Sequence, residues 1–235
     1  MRDFPIGVSF SSQMKAFLMV CGKAIRSLLV MVLFVPPFTS TAEEVLVTAG
    51  SARGCETPYT KGRFTIQAIA GAVYSPFLIN KERTTVNYVQ TDVRFGWMLN
   101  TPTGASMLRG SFEALAEISN SFITKGPGNY VSGVTALLRY NFVQPDTKLV
   151  PYVQVGVGAV LTDIHKCEDG YPLTSQALNF TPQGSVGARY MAGKNWSIDM
   201  EAMFHHISNA GLGDSNAGIN SGGILLGFTY FFGPP

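Results

Sequence analysis

From about residue 62 to 232 the chain repeats one pattern: roughly ten residues of alternating apolar and polar character, then glycine, proline, asparagine or aspartate. Side chains at period two project to opposite faces of an extended strand, so this pattern demands β-structure. About ten residues is also the length at which a tilted strand crosses a bilayer. Eight such stretches lie near 62–74, 86–99, 106–118, 130–142, 149–161, 180–192, 195–208 and 221–232. An even number of antiparallel strands can close on itself and leave no exposed edge. The expected fold is all-β, an eight-stranded antiparallel up-and-down transmembrane barrel over residues 62–235.

The connections are expected to alternate in length. They read as short around 100–105, 143–148 and 193–194, and as long around 75–85, 119–129, 162–179 and 209–220. Outer-membrane barrels place short turns on the periplasmic side and longer loops outside, which puts the chain's start on the periplasmic side. The last stretch, Ile224 to Phe232, ends in aromatics that suit an interfacial girdle. Gly156 and Gly158 fall inside the fifth stretch, where glycine eases barrel curvature.

Alternation sorts the third stretch into two faces. Leu108, Phe112, Ala114, Ala116 and Ile118 share one, and Arg109, Ser111, Glu113 and Glu117 the other. Only 14% of the chain is charged, well below the quarter usual for a soluble surface. A barrel in lipid turns the oily face outward and encloses the charges, which must then pair. Asp92, Arg94, Arg109, Glu113, Glu117, Arg139, Arg189, Asp199 and Glu201 supply both signs for such a network. A soluble secreted sandwich or lipocalin-like carrier would bury the oily set instead, and detergent-free solubility would favour it.

Residues 1–42 read as an export signal. Lys15, Lys23 and Arg26 precede the apolar run 28–35, and Ser40-Thr41-Ala42 suits cleavage. Met14 opens a more usual signal than Met1 does. Removal of 1–42 takes away Arg2, Lys15, Lys23, Arg26 and Asp3, leaving 13 basic against 14 acidic residues. A nucleic-acid partner therefore lacks electrostatic support. Cys21 has no convincing lipobox, and residues 43–61 read as an N-terminal extension. Cys55 and Cys167 are expected at opposite barrel ends, roughly 25 Å apart, far beyond the about 7 Å a disulfide spans, so no bond between them is expected unless the extension threads the lumen. Their spacing implies no metal site, and no cofactor is expected.

The seventh stretch carries the chemistry. Its even positions run Trp196, Ile198, Met200, Ala202, Phe204 and then His206 and Ser208. An oily row that ends in an imidazole and a hydroxyl places a possible base and nucleophile on one face, toward the acyl chains. Polar residues that have simply reached the headgroups would look the same. His205 points the other way, and His165 is assigned no role.

His206-Ile207-Ser208-Asn209-Ala210-Gly211-Leu212, followed by Asn216-Ala217-Gly218-Ile219-Asn220-Ser221 and a glycine-aromatic last strand, resembles the PagL-type lipid A 3-O-deacylases and their acyloxyacyl-hydrolase relatives. The likeness is strongest over 196–232. It implies an outer-membrane serine esterase that hydrolyses the ester-linked 3-hydroxyacyl chain of lipid A, with its site toward the outer leaflet. Carried over, Ser208 is the nucleophile, His206 the base, and Asn209 with the Ala210 amide holds the oxyanion. The implied partners are lipopolysaccharide and the membrane, with oligomeric state open.

The family's orienting glutamate falls at Asn220. An amide can hold imidazole but cannot stabilise imidazolium by charge, and the comparable change in serine proteases costs about four orders of magnitude in rate. Three accounts stand: Asn220 orients a weaker dyad, Asp214 substitutes, or the barrel has lost hydrolysis and only binds lipopolysaccharide or stabilises the membrane. Asp214 also suits a plain turn. Asp199 and Glu201 are expected to face the lumen, away from His206.

Overall fold

The computed structural model describes residues 58–75, 84–166 and 173–233. The expected signal peptide, most of the expected extension and both Cys55 and Cys167 lie outside these residues. Eight strands follow in order: β1 Phe64–Tyr74, β2 Asn87–Met98, β3 Ser111–Lys125, β4 Tyr130–Asn141, β5 Leu149–Thr162, β6 Leu178–Met191, β7 Trp196–Ile207 and β8 Ile219–Phe232. Each pairs antiparallel with its neighbours, and β1 pairs with β8 to close the barrel. We call the end at which β1 finishes the upper end. The connections that follow β1, β3, β5 and β7 leave from that end.

The third strand departs from the expected 106–118. Ser106–Leu108 is instead a 3₁₀ turn, and the connection it belongs to closes through a Thr103–Gly110 bridge. Pro102 and Gly104 interrupt regular pairing there, and Met107 and Leu108 are exposed. The strand runs on through Ser119, Asn120 and Ser121, so the expected long loop 119–129 shrinks to 126–129. Gly126 and Gly128, both at positive φ, make that tight turn possible. At the lower end, 99–110 is correspondingly longer than expected, and the simple short-below, long-above alternation does not hold.

Faces follow the period-two reading. Phe95, Trp97, Ile118, Ile198 and Met200 point outward and are exposed, whereas Arg94, Arg139, Arg189, Glu113 and Asp199 point inward with no exposure at all. Oil outside and charge inside suits hydrocarbon as the surrounding solvent. The charges pair as burial requires. Arg94 donates to Glu117 at 2.7 Å and grips Glu201 with both terminal nitrogens at 2.7 and 3.1 Å. Arg189 donates to Glu113 at 2.9 Å, and Gln67 donates to Asp199 at 2.6 Å. Arg109 is the exception to the expected network: it precedes β3 and donates to the Val143 carbonyl at 2.7 Å.

Apolar clusters close over both ends of this charged layer. Tyr59, Met98, Val143, Val150 and Phe231 fill the lower end, with Tyr59 edge-on to Phe231. Part of the expected extension thus packs into the barrel mouth. Val73, Val86, Val131, Val160, Ile164, Leu173, Ile207 and Ile219 fill the upper end. The interior is a packed core, which makes the upper rim a stiff platform.

Candidate active site

β7 reaches the upper rim with its outward row intact: Trp196, Ile198 and Met200 are exposed, then Ala202, Phe204 and His206 half-buried. The intervening Ser197, Asp199, Glu201 and His205 face inward. His205 meets the Tyr88 hydroxyl at 3.1 Å inside the lumen. His206 is paired across the sheet with Asn220 on β8. Cross-strand partners share a face, and here the two side chains meet: His206 Nδ1 lies 2.6 Å from Asn220 Oδ1. An amide oxygen only accepts, so a neutral ring in this contact carries its proton on Nδ1 and presents Nε2 as the acceptor.

Ser208 lies just past the end of β7, yet it is still paired. It exchanges backbone hydrogen bonds with Phe180 on β6, at 3.1 and 2.7 Å. Phe180 is exposed on the outer face and Ile207 is buried in the lumen. Ser208 therefore projects outward, on the same face as His206 and two residues beyond it. Its residue surface is only 6% exposed, so the hydroxyl sits in a sheltered rim rather than in open solvent.

The turn after Ser208 is built by its own side chains. Ala210 and Gly211 both adopt positive φ, 55° and 80°. Asn209 holds them there: its Oδ1 accepts from the Gly211 amide at 2.9 Å, and its Nδ2 donates to the Ser215 carbonyl at 2.8 Å and the Ser175 hydroxyl at 3.3 Å. The Asn209 amide donates to Asn216 Oδ1 at 3.1 Å. Both side-chain hydrogens of Asn209 are thus committed within the loops. Gly218 turns the chain into β8 at a φ of 71°, and a Cβ there would lie 3.1 Å from His206 Cε1, so the ring lies against bare backbone.

Of the residues considered as orienters, Asn220 is the one at Nδ1. Asp214 is exposed in the 208–218 connection, and Asp199 and Glu201 are buried in the lumen with Gln67 and Arg94. Ser175, Asn216 and Gly218 also shape the rim, beyond the residues the sequence points to. Asn216 and Gly218 lie within the motif that carries the family resemblance. Ser175 belongs to a connection on the far side of β6, where the sequence holds no pattern.

The family model described as lipid A 3-O-deacylase (PagL) matches residues 87–229. No curated protein sequence matches the chain. Among solved structures, the chain is 18% identical to the outer membrane enzyme PagL, covering 69% of this chain and 97% of that one at a TM-score of 0.47. Neisserial surface protein A is 13% identical, with 73% of this chain and 98% of that one covered at 0.49. The outer membrane protein OprG from Pseudomonas aeruginosa is 13% identical, with 76% and 100% covered at 0.44.

Proposed function

The chain belongs to the lipid A 3-O-deacylase (PagL) family, and on that premise we propose that it is an outer-membrane serine esterase acting on the ester-linked 3-hydroxyacyl chain of lipid A. The observation that carries this reading is the 2.6 Å contact between His206 Nδ1 and Asn220 Oδ1. It leaves Nε2 basic on the outward face that Ser208 shares.

In the proposed reaction Ser208 Oγ attacks the ester carbonyl while His206 Nε2 takes its proton. The Ala210 amide meets the oxyanion, and Asn209 keeps that amide aimed by holding the left-handed turn. One such preorganised donor contributes about 3 kcal/mol to the transition state. His206 then returns the proton to the leaving sugar alcohol; in the second half it takes a proton from water, which attacks the acyl carbonyl, and gives that proton to Ser208 Oγ as the C–Oγ bond breaks and the hydroxy acid leaves. An amide in the orienting place preserves the tautomer, as the asparagine of papain-like Cys-His-Asn sites does, but it lends no charge to imidazolium. The chemistry is therefore that of the family at a reduced rate.

The site is proposed to face the outer leaflet, where its substrate's acyl chains lie, and residues 1–42 to be the cleaved export signal. The same amide favours a second reading, a barrel that binds lipopolysaccharide without turning it over. Purified barrel in detergent, incubated with lipid A, separates the two. Release of a 3-hydroxy fatty acid that stops in both Ser208→Ala and His206→Ala supports hydrolysis. Binding without release over a broad pH range leaves the second reading.

A further inference from the structure

The turn that carries Ser208 does not stand alone. It is tied at two points to the β5–β6 connection, on the opposite flank of β6. The Gly218 amide donates to the Leu173 carbonyl at 2.9 Å, and Asn209 Nδ2 donates to Ser175 Oγ at 3.3 Å. The segment that delivers these acceptors is itself anchored. Leu173 is buried in the upper apolar cluster. Thr174 Oγ1 donates to Asn179 Oδ1 at 2.5 Å, and the Asn179 amide nitrogen donates back to the Gln176 and Ala177 carbonyls at 2.9 and 3.2 Å. Asn179 sits in β6, so the Ser175 hydroxyl is referenced to the barrel wall rather than to a free loop.

The 208–218 connection is shaped to receive it. A Cβ at Gly213 would fall 2.1 Å from Ser175 Oγ and 2.8 Å from Asn209 Nδ2. Any larger residue at 213 must push the hydroxyl or the amide away. Two loops remote in sequence have therefore been fitted around one contact, and that contact lies on the residue that fixes the positive φ of Ala210 and Gly211.

We propose that Ser175 is a positioning residue for the ester-hydrolysing site: its hydroxyl, held by the β5–β6 connection, fixes Asn209 and through it the turn that aims the Ala210 amide beside Ser208. This rests on Ser208 and His206 being nucleophile and base. Ser175 touches neither of them in this scheme. It sets how often the oxyanion donor is in place when the acyl chain is bound, so it acts on kcat rather than on lipid binding.

The test uses the full-length protein folded in detergent, with Ser175→Ala, Ser175→Thr and Gly213→Ala. Two readouts are taken, lipid A hydrolysis and hydrogen exchange of the 208–218 amides by mass spectrometry; the second needs no activity. Loss of one neutral hydrogen bond corresponds to roughly a 2- to 10-fold change. Ser175→Ala and Gly213→Ala are expected to speed exchange of 208–212 by that factor and to lower kcat comparably, with KM and the barrel's unfolding temperature unchanged. Ser175→Thr, which keeps the hydroxyl, is expected to recover most of the lost rate.

Unchanged exchange in both Ser175→Ala and Gly213→Ala overturns the proposal, as does faster exchange with kcat at the parent value, or a loss expressed only in KM. If the parent protein releases no hydroxy acid, the esterase reading and the catalytic half of this proposal fall together. The exchange data then decide separately whether Ser175 holds the turn.

Discussion

Replacing Asn220 by aspartate is the perturbation that isolates what the site lacks. The two side chains have the same shape, so Asn220→Asp sets a carboxylate oxygen where Oδ1 now stands, 2.6 Å from His206 Nδ1. In the proposed reaction asparagine already fixes the tautomer, and the added effect is charge on the transient imidazolium. Unit charges about 3.5 Å apart at an effective dielectric near 20 attract by about 5 kcal/mol. Part of that is lost in burying the new carboxylate, because residue 220 is only 7% exposed. A net gain of about 1.5–3 kcal/mol corresponds to roughly 10- to 150-fold in kcat/KM. Asn220→Glu supplies the residue that the family resemblance implies there, with one more methylene between backbone and carboxylate. The assay is the initial rate of 3-hydroxy fatty acid release from lipid A micelles, compared at equal amounts of folded barrel. If neither carboxylate raises the rate while folding is retained, the idea that the missing charge limits turnover is wrong.

Other consequences concern the barrel and its rim. Glu201→Leu removes the carboxylate that Arg94 grips with two nitrogens and that Tyr152 donates to at 2.7 Å, leaving a buried cation short of a partner. Unfolding in urea and detergent should register a loss of about 3–5 kcal/mol, with Glu201→Gln intermediate. Met200→Arg puts a charge on the exposed oily row of β7, which should cost about 2–4 kcal/mol in a bilayer and almost nothing if water bathed that face. Refolding yields into vesicles distinguish the two. At the upper rim, slight burial works to raise the Asp163 pKa, but hydrogen bonds from the Asn129 amide and side chain and the Tyr130 amide hold it below the usual 3.8. Its contribution is therefore complete above pH 3.8 and fades as pH falls through the lowered value. The Asn129 and Tyr130 amides should keep their exchange protection at neutral pH and lose it only in that acid range, and Asp163→Asn should abolish the pH dependence.

Much of this molecule is legible in its alternation. Period two located seven of the eight strands to within a few residues and sorted lumen from lipid face, because in a barrel the two sides meet opposite solvents. It failed where that rule is relaxed. Asn120 faces outward in β3 but is satisfied sideways, by Ser132 and through the Thr91 hydroxyl on its carbonyl, so a polar outward residue breaks the alternation and mimics a loop. Arg109 looked like a lumen charge because it keeps the right parity with Glu113, although the 3₁₀ turn before β3 takes it out of register. At the rim, the common face of His206 and Ser208 follows from spacing alone. The engagement of Asn209 with Ser175 does not, because it depends on two connections meeting across β6, and neither has a period to follow.

An imidazole and a hydroxyl at the end of an oily row are proposed to act on an acyl ester. Mass spectrometry of lipid A after incubation with the folded protein and with Ser208→Ala tests it most directly. Loss of one 3-hydroxyacyl chain is expected with the parent protein, and intact lipid A with the variant. Intact lipid A with both, or equal loss with both, would contradict it.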